Sequence, residues 1–166
     1  NFNDNRNSWS LNSSEDRIFE IDNGYFHFDA KKSWVNTASM PIDESRDFEI
    51  ETKIYKVSGV TNYGFGLAFG RRDNDNMFEF DISATGSYRV FEYDGGNFNK
   101  IIDWTASSTI KKGNGSTNTL KIVKEGNLLK YYINGVYVNK STYKKFHGNY
   151  AGFSVWKNQK IKIIKK

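Results

Sequence analysis

An all-β, two-sheet antiparallel jelly-roll sandwich of about 12–14 strands is the fold this sequence predicts. Three observations carry that prediction. Apolar and polar residues alternate with period two in one segment after another, while the 3.6-residue period of an amphipathic helix is absent. Gly, Asn, Asp and Ser punctuate the chain at roughly ten-residue intervals, the spacing of short strands joined by tight turns. Aromatic residues make up 16% of the chain, and their broad side chains suit a pleated, half-buried surface.

The elements follow in order. Strands are expected over Arg17–Ile21 and Tyr25–Asp29, joined by Asp22-Asn23-Gly24, residues that tolerate the positive φ of a tight hairpin. Trp34–Ser39 comes next, and the lone Pro41 marks a connection, where its missing N–H removes no ladder bond. Phe48–Val57 and Tyr63–Gly70 follow. In Tyr63–Gly70 every odd position is large and apolar and every even one is Gly or Ala, so one face buries and the other is nearly bare. A bare face either admits bulky neighbours from adjacent strands or leaves a trough for a ligand.

Met77–Ser83, Ser87–Tyr93 and Phe98–Trp104 continue the alternation, the last two linked by Asp94-Gly95-Gly96. Thr119–Lys124, Leu128–Ile133 and Val136–Asn139 form a meander through Glu125-Gly126-Asn127 and Asn134-Gly135. Ala151–Trp156 and Lys160–Ile164 close the chain. Lysine alternating with isoleucine in KIKIIKK reads as the polar side of a last edge strand, where lysine discourages edge-to-edge pairing.

The 166 residues fit one domain over 1–166, with no Pro/Ser-rich linker or internal repeat to divide it. The absence of cysteine excludes a disulfide framework, a thiolate metal site and a cysteine nucleophile. Net charge is +5, with lysines bunched late at Lys144, Lys145, Lys157, Lys160, Lys162, Lys165 and Lys166. Nucleic acid is disfavoured as a partner because these lysines do not flank the aromatic stretches. No stretch approaches the roughly 20 apolar residues of a membrane span or reads as a signal peptide, so membrane insertion is not expected. The chain opens without an initiator methionine at NFNDNRNSW, next to the first expected strand, which suggests a trimmed or mature form.

Four stretches carry a family resemblance: DFEIETKIYKV, YGFGLAFGRRDNDNMFEFDIS, NTLKIVKEGNLLKYYINGVYV and YAGFSVWK. In order, they resemble the long strand, the small-residue strand with its following turn and aromatic strand, the Asn-Gly hairpin and the closing strand of the concanavalin A-like lectin/glucanase superfamily. The likeness is strongest to its laminin-G-like and 3-keto-disaccharide-hydrolase-like branches. It covers about two-thirds of the chain, and the opening FNDNRNSW resembles the start of the same domains. It implies a jelly roll. Members include sugar-binding lectins, polysaccharide hydrolases, protein-binding modules and accessory domains of larger chains, so fold alone does not choose among them.

Within that superfamily, laminarinase-like hydrolases place three acids on one strand at alternating positions. Glu79 and Asp81 match the first two, but Ser83 stands at the third and cannot donate a leaving-group proton as a raised-pKa carboxylic acid would. No catalytic residue is therefore assigned. The two acids are expected beside Arg89 and Tyr93 on the bare outer face, as acidic, basic and aromatic walls for a sugar. Trp34, Trp104 and Trp156 are stacking candidates, Trp104 and Trp156 the more exposed, while Trp9 is assigned to the core or the N-terminal closure. His27 and His147 read as a strand-surface and a turn residue. For calcium, which laminin-G-like domains often bind, the oxygen-rich Asp73-Asn74-Asp75-Asn76 supplies Asp73 and Asp75 as ligand candidates, with Asp4-Asn5-Arg6-Asn7 second. No other cofactor is implied.

The reading is a non-catalytic binding or accessory module with carbohydrate as ligand, acting as a monomer in an extracellular, periplasmic or cell-surface setting. A 3-keto-glycoside or glucan hydrolase and a protein-interaction domain are the competing readings.

Overall fold

A computed structural model describes residues 2, 5, 6 and 8–164 and contains thirteen strands. The first five are β1 (Arg17–Asp22), β2 (Tyr25–Ala30), β3 (Val35–Pro41), β4 (Phe48–Gly59) and β5 (Gly64–Asp73). Then come β6 (Asn76–Ser83), β7 (Ser87–Asp94), β8 (Asn97–Ala106) and β9 (Thr117–Glu125). The last four are β10 (Leu128–Ile133), β11 (Val136–Thr142), β12 (Tyr150–Val155) and β13 (Gln159–Ile164). All pairings are antiparallel, in a seven-stranded sheet ordered β1-β2-β13-β4-β9-β10-β11 and a six-stranded sheet ordered β3-β12-β5-β6-β7-β8.

Period-two alternation makes the sandwich. Phe26, Phe28, Ile54, Leu120, Ile122, Tyr131, Ile161 and Ile163 project inward from the seven-stranded sheet, meeting Phe65, Leu67, Phe69, Phe80 and Val90 of the other. Each such fully buried side chain contributes about 1.5–3 kcal/mol of transfer free energy. Three of the expected hairpins close with both central residues at positive φ, Asn23-Gly24 at 50° and 79°, Gly95-Gly96 at 58° and 82°, and Asn134-Gly135 at 53° and 81°. That geometry matches the right-handed twist of the flanking strands. Trp9 joins the two sheets, its ring 5.4 Å from Phe26 and 5.2 Å from Phe153.

One expectation is corrected. The closing strand β13 is not an edge but lies inside the seven-stranded sheet, between β2 and β4. Its isoleucines Ile161 and Ile163 face the core, and its lysines stand on the outer sheet face, where Lys162 lies 4.4 Å from the Tyr25 ring and 4.9 Å from that of Tyr55. Alternating lysine marks an exposed sheet face as readily as a free edge, so local pattern alone could not separate the two. The edge strands are β1, β11, β3 and β8, and Pro41 ends β3, where an edge tolerates it.

A buried cation lies near the core. Lys56 of β4 is fully buried, and its Nζ donates to the Val60 carbonyl at 2.9 Å and to Gln159 Oε1. Burial lowers its pKa to about 8. Among the described residues no helix is long and apolar enough to cross a membrane.

Candidate functional site

Strand β6 lies between β5 and β7, and all eight of its residues are buried. Phe78, Phe80 and Ile82 point to the core, which sends Glu79, Asp81 and Ser83 to the outward face. On that face Asp81 pairs with Gly66 on one side and Arg89 on the other, while Glu79 stands between Ala68 and Phe91. The bare side of β5 serves packing. A Cβ at Gly64 would come within 2.5 Å of Asp81 Oδ2, so the small residue makes room for the carboxylate. At Gly66 a Cβ would lie 2.1 Å from the Phe80 carbonyl oxygen, an approach only glycine allows.

A roof closes over the two acids. The Trp34 indole N–H donates to Glu79 Oε1 at 3.0 Å and to Ser154 Oγ at 2.9 Å, and the Trp156 N–H donates to Glu79 Oε2 at 3.4 Å. The two indoles lie 5.9 Å apart, and Tyr93 packs on Trp34 at 5.8 Å. Arg89 covers Asp81, donating from Nε at 3.3 Å and from Nη2 at 3.1 Å to the same oxygen, Oδ2. Its guanidinium carbon sits 4.5 Å from the Phe91 ring, 4.6 Å from Trp104 and 4.9 Å from Trp156.

Two carboxyls thus share one cation. Burial, and secondarily the charge on Asp81, pushes Glu79 well above the usual carboxylate range. Burial raises Asp81 too, but Arg89 opposes it through both charge and hydrogen bonds. Of the pair, Glu79 is the one pushed further toward its neutral form, and Asp81 the one that Arg89 holds toward its charged form. Asp81 Oδ1 is a buried acceptor without a hydrogen bond among the described residues. Burial also raises Tyr93, with the Glu79 carboxyl adding to it.

Beside this cluster is an open cleft of about 280 Å³, lined by Asn62, Tyr63, Gly64, Arg89, Trp104 and Trp156. Trp104 is 39% exposed and Trp156 half-buried. Arg89, which bonds Asp81 through Nε and Nη2, makes no hydrogen bond through Nη1 among the described residues. Such a cleft offers aromatic planes for the C–H faces of a ring and a fixed guanidinium for its oxygens.

Of the residues expected at the site, Arg89, Trp104 and Trp156 line this cleft, and Tyr93 stands to one side, 5.8 Å from Phe98. Glu79 and Asp81, expected as walls of the site, face outward as alternation requires, yet each has 0% exposure. They lie beneath the surface because rings from strands distant in sequence fold across them. Asn62 was not anticipated, and Tyr63, expected to bury as the first large residue of the small-residue strand, is half-buried just before β5. The available signal for Asn62 was position, just before the small-residue strand at its open end.

The remaining candidates have local roles. Ser83 Oγ is 2.7 Å from Thr85 Oγ1 in the turn after β6. Asp73 Oδ1 accepts from Asn76 Nδ2 at 2.8 Å and from the Asp75 N–H at 3.0 Å, and these bonds, with Arg72, hold its carboxyl below the usual range. Among the described residues no three His, Asp or Glu side chains gather as a metal site, so Asp73 and Asp75 have no third such ligand. Asp4 and Asn7 of the other oxygen-rich stretch lie outside the described residues. His27 stands half-buried on β2, and His147 stacks on Phe78 at 5.5 Å with its Nε2 2.8 Å from Glu92 Oε1.

No family model and no curated protein sequence matches the chain. Solved structures do. The carbohydrate-binding module CBM66 from Bacillus subtilis aligns with a TM-score of 0.64 at 17% identity, over 95% of this chain and 92% of that one. The xylan β-1,4-xylosidase of Bacillus halodurans aligns with a TM-score of 0.61 at 13% identity, over 89% of this chain but 33% of the enzyme. The Caenorhabditis elegans galectin LEC-6 aligns with a TM-score of 0.54 at 14% identity, over 93% and 99%. These likenesses show the jelly-roll sandwich fold.

Proposed function

We propose that this chain is a non-catalytic glycan-binding module whose site is the Trp104–Arg89–Trp156 cleft on the outer face of the six-stranded sheet. The observation that carries the reading is the Arg89 guanidinium, anchored by Asp81 beneath and held among aromatic rings with its Nη1 end left for a ligand. Asn62 and Tyr63 add an amide and a phenol at the same cleft. A volume of about 280 Å³ suits one or two sugar rings. Structural neighbours named as a carbohydrate-binding module and a galectin support the ligand class.

The acids act here as a foundation rather than as reactants. A hydrolytic role would need a carboxyl within reach of a glycosidic oxygen, and Glu79 and Asp81 are sealed by Trp34, Trp156 and Arg89. Glu79 holds two indoles in place by hydrogen bonds, and Asp81 aims the guanidinium.

A glycan array followed by calorimetric titration tests the reading. At least one carbohydrate ligand is expected, with affinity falling about tenfold or more in Trp104→Ala while stability changes little, because Trp104 stands partly in solvent. A blank across plant, microbial and host glycans would overturn it and leave a protein-interaction domain.

A further inference from the structure

We propose that a second cleft, on the flank between β1 and β3, is a binding site for a tetrahedral oxyanion, a sulfate or phosphate group either free or carried as an ester. The site is independent of the glycan reading, because β3 and β8 are opposite edges of the six-stranded sheet and Trp104 belongs to β8.

The cleft measures about 330 Å³ and takes Arg17 from β1 and Arg71 from β5 into one lining. Among the described residues neither arginine forms an ion pair with a carboxylate. Asp73, the acid whose charge acts on Arg71, is bonded to Arg72 at 3.0 Å. Arg71 is instead fixed by neutral amides, donating from Nε to Asn36 Oδ1 at 2.8 Å and from Nη2 to Asn74 Oδ1 at 2.9 Å. Those bonds set the plane of the guanidinium without neutralising it.

Arg17 supplies the second, independent observation. Its Nε is buried and has no hydrogen-bond partner, while its guanidinium rests 5.6 Å from the Phe19 ring. A buried donor on a permanent cation calls for an acceptor, and none is present among the described protein groups. Ser8 and Ser10 add hydroxyls to the same wall. Ser8 is held at a φ of 52°, its N–H donating to the Asn5 carbonyl at 2.9 Å. Two guanidiniums from strands of different sheets and the serine hydroxyls of the same lining offer donors along several directions. A planar carboxylate engages one fork well, whereas a tetrahedral group presents oxygens to both.

The decisive measurement is the Nε–H resonance of Arg17 in the intact chain, followed by NMR while inorganic sulfate or phosphate is added against chloride at matched ionic strength. We expect a saturable shift of that resonance, a smaller response to acetate, and a rise in Tm of roughly 3–5 °C at tenfold excess over Kd. Arg17→Gln abolishes the Tm response while leaving the fold intact, since among the described residues the Arg17 side chain makes no hydrogen bond or ion pair; Lys53→Gln, on β4 and separated from β1 by β2 and β13 in the seven-stranded sheet, leaves the response unchanged. Sulfated and phosphorylated sugars, each beside its unmodified parent, then distinguish an ester-borne group from the free ion. A linear, unsaturating shift, or a Tm response that survives Arg17→Gln, overturns the proposal. Glycan binding lost in Trp104→Ala with the Arg17 response retained separates the two clefts.

Discussion

The outward faces of the two sheets treat their charged residues in opposite ways. On the seven-stranded sheet, outer side chains stay at least partly in water and meet partners across strands: Lys121 lies 3.6 Å from Glu49 and Lys160 lies 3.4 Å from Asp29. Strands such as β2 and β10 alternate accordingly between buried and half-buried positions. On the six-stranded sheet, β6 carries acids at the equivalent alternation, yet every one of its residues is buried. Outward is therefore not the same as wet. What decides the chemistry of an outward acid is whether neighbouring strands supply rings long enough to cover it.

The comparison breaks most sharply at Arg89. Replacing it with methionine leaves the Asp81 charge sealed without a cation, and stability is expected to fall by about 3–5 kcal/mol, read as a lower midpoint in urea unfolding. A loss near the ~0.5 kcal/mol typical of surface substitutions would mean that this face is no different from the other.

Glu79→Gln sharpens the contrast through pH. Because folding raises the Glu79 pKa, its protonated form adds stability that is fully present below about 4.5 and is lost as pH rises toward the folded value. The variant should match the native chain in acid and become the more stable of the two by about 1.4 kcal/mol per pH unit across that window. Urea midpoints at a series of pH values would show it, and parallel curves would mean that Glu79 titrates normally.

Lys56 is the opposite case within the seven-stranded sheet, a cation whose pKa folding lowers to about 8. Its contribution is complete only above the unfolded value and is lost as pH falls toward 8. Stability should therefore rise from pH 8 until tyrosine ionisation begins, and Lys56→Met should flatten that rise. The smallest effect belongs to the wet face: Lys121→Ala should change stability by less than about 1 kcal/mol in the same assay.

Much of the fold was legible because it is local. Alternation and turn residues such as Asn23-Gly24 locate all thirteen strands within a few residues of their observed bounds, and the same alternation assigns Glu79 and Asp81 to the face away from the core. The site was only half legible. Arg89, Trp104 and Trp156 could be named from residue type, but the burial of the acids depends on Trp34 and Trp156, which are 45 and 77 residues from Glu79 in sequence. The same limit hid the pairing of Arg17 with Arg71, since strands of different sheets bring them to one cleft. It also hid the interior place of β13.

That interior place orders how the molecule can be made. During synthesis β2 can pair with β1 and β4 with β9, yet the two parts of the seven-stranded sheet cannot join until Gln159–Ile164 leaves the ribosome, because β13 pairs with both β2 and β4. β12 likewise bridges β3 and β5. Both sheets therefore stay split until β12 and β13 arrive, and folding that depends on such long-range pairing is expected to finish late. A ribosome-stalled chain ending before Tyr150 should remain protease-sensitive throughout.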